Sequence, residues 1–277
     1  MDLQKTPHLL YWKSKKFETN YNPIDKYIFC NPWKAGFNNV RMSFEIAACI
    51  AYRLNRTLVI PDPYKICNLD NINGFDDFFE KLDYGINILT LSEFTRNANI
   101  SNNWKEIEKM SDVYDFEPDR YYINLSDKKS SMRHHGGLTE MKINNDSKYI
   151  YFKENLLGSF YLVIHDDNML ELKRYIYNHI HYKESIFAQA YNIIKFIHGK
   201  HGKYYSMHVR RNDFIQQYEH VVIDDKSLLN NVKDIIPAGS CLYISTDLKN
   251  KNELGVLNDY YNVIVLDDVV NLLDKYI

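Results

Sequence analysis

Two adjacent arginines follow a short apolar segment in the second half of the chain. The segment Tyr204 to Val209 alternates in polarity and predicts a strand, and His208-Val209-Arg210-Arg211-Asn212-Asp213 lies where this strand would run into a loop. Ligands of open α/β sheets bind at the carboxyl ends of strands. Because guanidinium groups grip phosphate oxygens with paired hydrogen bonds, the pattern predicts a pyrophosphate site. The alternative is a pair of surface charges balanced by Asp213.

A second segment, near the amino terminus, predicts a βαβ unit. Tyr27 to Cys30 and Thr57 to Ile60 have the length and apolar character of strands. Between them an apolar stripe recurs at helical spacing and consists of Val40, Phe44, Ala47, Ala51 and Leu54. The loop Gly36-Phe37-Asn38-Asn39 would open this helix, since Gly36 and Asn38 allow a tight turn. Its backbone N–H groups would face an anion or a sugar hydroxyl, with an ordinary helix start as the alternative.

A third segment, Cys241 to Asp247, is an apolar strand that ends in hydroxyl and carboxylate groups. Asp247 has two interpretations at this point. It contacts a ligand at the strand end, or it caps a helix that begins at Leu248.

Together, in this order and spacing, the three segments resemble the GDP-fucose-dependent fucosyltransferase superfamily. That superfamily includes protein O-fucosyltransferases, α1,6-fucosyltransferases and their plant and algal relatives. The motifs that carry the resemblance are Gly36-Phe37-Asn38-Asn39-Val40-Arg41, His208-Val209-Arg210-Arg211-Asn212-Asp213 and Ser245-Thr246-Asp247. A predicted helix from Lys183 to His198 also fits, so the resemblance spans roughly residues 27–270.

The resemblance implies an α/β fold of the GT-B type, in which two Rossmann-like domains face a cleft. Here the domains would be residues 1–180, with acceptor-side insertions between 62 and 150, and residues 181–277, which would bind the GDP-sugar. The implied reaction is an inverting, metal-independent transfer of fucose from GDP-fucose to a protein or glycan hydroxyl. GDP-fucose would lie between the loops 36–41 and 208–213, and no cofactor besides this substrate is implied.

The resemblance also implies roles for single residues. Arg210 would be the catalytic residue, which contacts the β-phosphate and stabilises the charge on GDP as the glycosidic bond breaks. The implied GDP-fucose-binding residues are Gly36, Phe37, Asn38, Asn39, His208, Arg210, Arg211, Asp213, Thr246 and Asp247. Among them, Arg211 and Asp213 would be mainly structural.

Two departures from the family pattern bear on catalysis. Ala35 stands where some members carry a Glu that is a candidate base, so a base lies elsewhere or the mechanism is dissociative and needs none. Members also continue beyond a segment like Asp267-Asp268 into a further strand and donor loop, whereas this chain stops at Ile277. We therefore expect an incomplete second domain, either because the chain is a fragment or because the product is naturally shortened.

Two other functions compete with the transferase. One is a catalytically silent nucleotide-sugar or carbohydrate-binding protein that retains the fold. The other is a phosphatase-like hydrolase that uses His208 as its nucleophile. Transfer activity separates the first from a transferase, and a phosphohistidine at His208 would identify the second.

The composition of the chain argues against several classes of binding partner. The net charge of −2 and the lack of a long basic block argue against nucleic acid. Cys30, Cys49, Cys67 and Cys241 lack zinc-site spacing, and His134-His135-Gly136-Gly137 is interpreted as an exposed turn, so no metal site is expected. No apolar stretch reaches the roughly 20 residues of a membrane span. Without a signal-peptide core at the amino terminus, we expect a soluble chain, cytoplasmic by default, with the secretory lumen suggested by the resemblance.

Overall fold

The chain forms two compact units, Met1–Lys183 and Glu184–Ile277. The computed structural model describes residues 20–30, 37–62, 78–79, 84–114, 145–152, 156, 161–211 and 223–272. In both units the described strands pair in parallel, and described helices follow several of these strands along the chain. The predicted α/β class is therefore confirmed.

The first unit is built on a parallel sheet whose described strands run in the order β3-β2-β1-β5-β4. These strands are β1 (Tyr27–Cys30), β2 (Thr57–Ile60), β3 (Ile88–Thr90), β4 (Asp112–Tyr114) and β5 (Tyr149–Phe152). The helices are α1 (Phe37–Arg53), α2 (Leu91–Ala98), α3 (Trp104–Met110), α4 (Tyr161–Ile164) and α5 (Met169–His179). This order places β1 at the centre of the sheet.

The centre of this sheet is covered on both faces. Side chains of a strand alternate between its faces, so Ile28 and Cys30 pack in one core, which contains α1 and α5 residues. Phe29 points the other way and packs against α2 and α3, where its ring meets Phe94 at a centroid distance of 4.9 Å. The near-continuous apolar sequence of β1 is the expected signature of a strand buried on both sides.

Helix α1 buries the predicted apolar stripe but begins earlier than the sequence indicated. Phe37 is its first residue, so Phe37, Asn38 and Asn39 lie in the first helical turn and not in a loop. The earlier start of the helix has a tertiary cause. The Phe37 ring packs 4.3 Å from that of Phe78, which favours continuing the helix back to Phe37. The helix ends at Arg53, so Leu54, the last residue of the predicted stripe, lies just beyond it.

The end of α1 leads directly into β2. Asn55 adopts a left-handed conformation with φ of 55°, and the backbone N–H of Arg56 donates to the carbonyl of Ala51 at 3.0 Å. This is the hydrogen-bond pattern of a Schellman cap with Asn in the position that usually holds Gly. It reverses the chain so that β2 pairs with β1, Tyr27 lying opposite Thr57.

The second unit is smaller, and its sheet is less completely covered by packed helices. Its elements are α6 (Glu184–His201), β6 (Tyr204–Val209), α7 (Asp225–Val232), β7 (Cys241–Thr246), α8 (Val256–Tyr260) and β8 (Asn262–Ile264), with 3₁₀ turns at Lys251–Leu254, Leu266–Asp268 and Val270–Leu272. The described strands form a parallel sheet in the order β6-β7-β8. Its core centres on Leu242, Ile244, Leu254 and Leu257, all 0% exposed.

The predicted strands Tyr27–Cys30, Thr57–Ile60 and Tyr204–Val209 are confirmed to the residue, and β7 ends at Thr246. Helix α6 begins one residue after the predicted Lys183 and continues beyond the predicted His198 to His201. Residues 62–150 were predicted as acceptor-side insertions without assigned strands, whereas 88–114 contribute two strands of the sheet and two helices. Within the described residues, no helix combines the length and the apolar character needed to span a membrane.

Candidate functional site

The strand ends that carry the two motifs of the second unit lie side by side. Strands β6 and β7 pair in parallel, which sets His208 opposite Ser245 and Val209 opposite Thr246. The carboxyl ends of both strands therefore meet at one edge of the sheet. Val209 is buried, and the residues on either side of it, His208 and Arg210, are exposed at this edge.

Arg211 is attached to the protein at both its backbone and its side chain. Its backbone N–H donates to Asp247 Oδ1 at 2.8 Å, and one of its terminal guanidinium nitrogens lies 2.6 Å from Asp225 Oδ1. The side chains of Arg211 and Asp225 are only 19% and 21% exposed. These three residues, which we call the Arg211 anchor, join the end of β6 to the end of β7 and to the first turn of α7.

The Asp225 carboxylate fits against a glycine. Gly255, between the 3₁₀ turn and α8, has a φ of +48°, a conformation that residues with a side chain rarely adopt. A Cβ at this position would collide with Asp225 Oδ2. Gly255 thus provides both the backbone turn and the space in which Asp225 holds Arg211.

Asp247 does not cap a helix at Leu248. The backbone N–H of Leu248 donates to Thr246 Oγ1 at 3.2 Å, and the next helical turn begins at Lys251 with Asn250 as its N-cap. The Asp247 carboxylate faces Arg211 instead. The helix-cap interpretation is therefore wrong, and contact of Asp247 with a ligand stays a prediction.

In the first unit, the described residues of the Gly36 to Arg41 motif form the start of α1. Asn38 is exposed, Phe37 and Asn39 are half-buried, and Gly36 lies outside the described residues, as does Asp213 of the second motif. The first backbone N–H groups of an α-helix have no partner within the helix, so this end remains suited to an anion or a hydroxyl. The start of α1 follows the carboxyl end of the central strand β1.

An ion pair in α1, which the sequence analysis did not single out, lies one turn further along. Arg41 and Glu45 are 2.5 Å apart, and their side chains are 29% and 14% exposed. Burial raises the pKa of Glu45, and Arg41 opposes this shift. Burial likewise raises the pKa of Tyr182, whose ring packs 5.0 Å from that of Phe79. The spacing of four residues between Arg41 and Glu45 is the signal that could have revealed this pair.

The cysteines that the structure describes are core residues. Cys30, Cys49 and Cys241 are buried and unpaired with one another, and Cys67 lies outside the described residues. Burial raises the pKa of Cys30 to about 12, so its thiol is protonated and unreactive. Across the described ranges, no three His, Cys, Asp or Glu side chains are grouped so that they could hold a metal ion. The His134 to Gly137 segment lies outside those ranges.

Comparison with known proteins identifies the family. The family model of GDP-fucose protein O-fucosyltransferases matches residues 27–271. This match confirms the resemblance and, with it, the enzyme class, a fucosyltransferase. A search of curated protein sequences found no match.

Solved structures of low sequence identity also resemble the chain. Fucosyltransferase NodZ from Bradyrhizobium is 14% identical, with a TM-score of 0.47 over 90% of this chain and 82% of that one. NodZ α1,6-fucosyltransferase soaked with GDP-fucose is 17% identical, with a TM-score of 0.47 over 87% and 77% of the two chains. POFUT1 in complex with GDP is 14% identical, with a TM-score of 0.47 over 88% and 86%.

Proposed function

Because the chain belongs to the GDP-fucose protein O-fucosyltransferase family, we propose that it transfers fucose from GDP-fucose to a protein or glycan hydroxyl, with inversion at C1 and without a metal ion. We assign binding of GDP-fucose to the second unit and the acceptor side to the first. The observation that carries the assignment is the charged edge of the β6-β7 sheet, where Arg210 is exposed beside the anchored Arg211.

The proposed reaction requires positive charge at this edge of the sheet. The bond between C1 of fucose and the β-phosphate oxygen breaks, and its electron pair remains on GDP. The oxygen of the acceptor hydroxyl forms the new bond to C1 from the opposite face, and its proton leaves to a base or to solvent. Arg210 would donate hydrogen bonds to the β-phosphate and stabilise the negative charge that develops there, in the place of a divalent cation.

The remaining residues of the proposed site have supporting roles. His208 lies two residues before Arg210, at the end of β6. Side chains two positions apart in an extended segment point to the same side, so His208 can contact the GDP-fucose or orient the loop. Thr246 and Asp247 border the nucleotide from the end of β7. Phe37, Asn38 and Asn39, at the start of α1, would contact GDP-fucose from the first unit. Gly36 and Asp213, which lie outside the described residues, complete the two motifs.

The test of this function is calorimetric titration of the purified chain with GDP, GDP-fucose and UDP, with and without a chelator. We expect binding that is selective for guanine, insensitive to the chelator and lost in Arg210→Ala. Arg96→Ala, which removes another exposed arginine, is the matched control and should bind like the wild type. A wild-type chain that binds none of the three nucleotides would overturn the proposal.

Turnover gives the largest expected effect. Arg210→Ala should lower the rate of fucose transfer by about 100- to 1000-fold, the usual cost of removing one preorganised charge-stabilising group. GDP binding without any transfer would indicate a silent nucleotide-sugar-binding protein. Phosphate ester hydrolysis that survives Arg210→Ala, with a phosphohistidine at His208, would indicate a hydrolase.

A further inference from the structure

We propose that Asp225 is a positioning residue for the phosphate-binding Arg210 and that it acts through Arg211. This inference rests on the proposed function, since it concerns how the second unit presents Arg210 to GDP. It assigns opposite tasks to two consecutive arginines. Arg211 is held on the protein by Asp225, and Arg210 is the exposed residue that follows the strand.

The peptide bond between the two arginines is held in place by Asp247. The N–H that donates to Asp247 Oδ1 at 2.8 Å belongs to the peptide plane shared by Arg210 and Arg211. Because a peptide unit is planar, this hydrogen bond restrains the backbone on the carboxyl side of the Arg210 Cα. The buried side chain of Val209 restrains the other side. The direction in which the Arg210 side chain leaves the strand is thereby limited.

The side chain of Arg211 is held by Asp225. The hydrogen bond of the Arg211 backbone N–H leaves rotation about the side-chain bonds of Arg211 open. The 2.6 Å contact with Asp225 holds the far end of this side chain as well. A charge-assisted hydrogen bond at this distance between largely buried partners is stronger than one between neutral groups. Arg211 is therefore fixed at two points, and its charge is balanced within the protein.

Asp225 is not required for capping α7. Asp224 is the N-cap residue, and its Oδ1 accepts from the backbone N–H of Ser227 at 2.8 Å, which lowers the pKa of Asp224. Asp225 is thus available for Arg211, and Gly255 leaves the space for its carboxylate. Adjacent aspartates of the same charge, one capping and one positioning, provide a matched pair for experiment.

The experiment compares GDP with GMP, which lacks the β-phosphate, in the wild type, Asp225→Asn and Asp224→Asn. Binding is followed by ligand-observed NMR, which measures weak affinities. If Asp225 positions Arg210, Asp225→Asn should weaken GDP by about tenfold and leave GMP unchanged, because the guanidinium of Arg211 loses its ion pair and keeps only a neutral amide oxygen as acceptor. Asp224→Asn removes the same charge one residue away, keeps a good N-cap, and should leave the preference for GDP over GMP unchanged.

The outcomes separate the two proposals. If Asp225→Asn weakens GDP and GMP by the same factor, or changes neither, the positioning role is wrong while the proposed function stands. If the wild type does not prefer GDP to GMP, the proposed function fails and the positioning role fails with it. Arg211→Lys, which keeps the charge but loses the forked geometry, is the second variant and should reduce the GDP preference in the same way if Asp225→Asn does not fold.

Discussion

The two units use arginine in opposite ways. In the first unit, Arg56 is 1% exposed at the amino end of β2, and its guanidinium donates to the carbonyls of Ser147 at 2.8 Å and Asn145 at 3.2 Å. It joins two strands that are distant in sequence, and its charge is enclosed. In the second unit, the arginines follow the carboxyl end of a strand, and one of them is exposed.

The helices of the two units also differ in how many of their residues are buried. Ten of the 17 residues of α1 are buried, whereas α6, with 18 residues, buries only Ile197, and α7 buries none. The first unit therefore has the better covered core, and the second has the charged edge. The difference indicates that stability is concentrated around β1 and that the chemistry is placed on the less covered sheet. The following predictions test this contrast in order of decreasing effect.

The largest effect on stability is expected at Phe44. This side chain is 1% exposed and meets the ring of Tyr84 at 5.4 Å in an edge-on arrangement. Phe44→Ala should lower the free energy of unfolding by about 3–5 kcal/mol, because it leaves a cavity in the core. Phe196→Ala, on the partly exposed side of α6, is the control and should cost less than about 1 kcal/mol. Similar losses in chemical denaturation would contradict the contrast between the units.

The next effect concerns the enclosed arginine. Arg56→Met should destabilise the chain by about 2–3 kcal/mol, since the carbonyls of Asn145 and Ser147 lose their donors while the side-chain volume is largely kept. Lys148→Met is the control in the same region and should change the free energy of unfolding far less, because the pair of Lys148 with Asp25 is exposed to solvent. GDP affinity should be unchanged in folded Arg56→Met, in contrast to Arg210→Ala.

Two glycines of the second unit separate backbone strain from steric collision. Gly239→Ala carries the cost of a positive φ, +73°, but its Cβ would meet nothing within 4 Å. Gly255→Ala carries a similar cost and also displaces the Asp225 carboxylate, so we expect it to lose about 2 kcal/mol against about 1 kcal/mol for Gly239→Ala. Only Gly255→Ala should also weaken GDP. Equal behaviour of the two variants in thermal unfolding and GDP titration would argue against the Arg211 anchor.

The smallest effect is a pH dependence in the first unit. Burial raises the folded-state pKa of Glu45 above its ordinary value of 4.5, so the folded state binds this proton more tightly than the unfolded state. The contribution of Glu45 to stability is therefore greatest below that value and decreases as the pH rises through the folded-state pKa. Glu45→Gln removes this titration, and its unfolding free energy should fall less than that of the wild type over this range. The exposed Glu106→Gln should follow the wild-type curve.

Local sequence patterns were sufficient for much of the fold. The apolar segments at β1, β2 and β6 are short and bounded by polar residues, so their limits follow from periodicity alone. The region of β3, α2, α3 and β4 was missed because its strands are only three residues long and acquire their identity by pairing with β2 and β5. Phe37 joined the helix through an aromatic contact with Phe78, which no local pattern announces.

The sequence by itself determined the α/β class, the family and the order of the motifs, because these depend on residue type and spacing along the chain. Only the tertiary structure decided which partner each charged group has. It brought Asp225, 14 residues after Arg211, to its guanidinium, and it turned Asp247 towards the Arg211 backbone and away from a helix cap. Such pairings depend on strand register and on the room left by a residue such as Gly255, and these are properties of the packed chain.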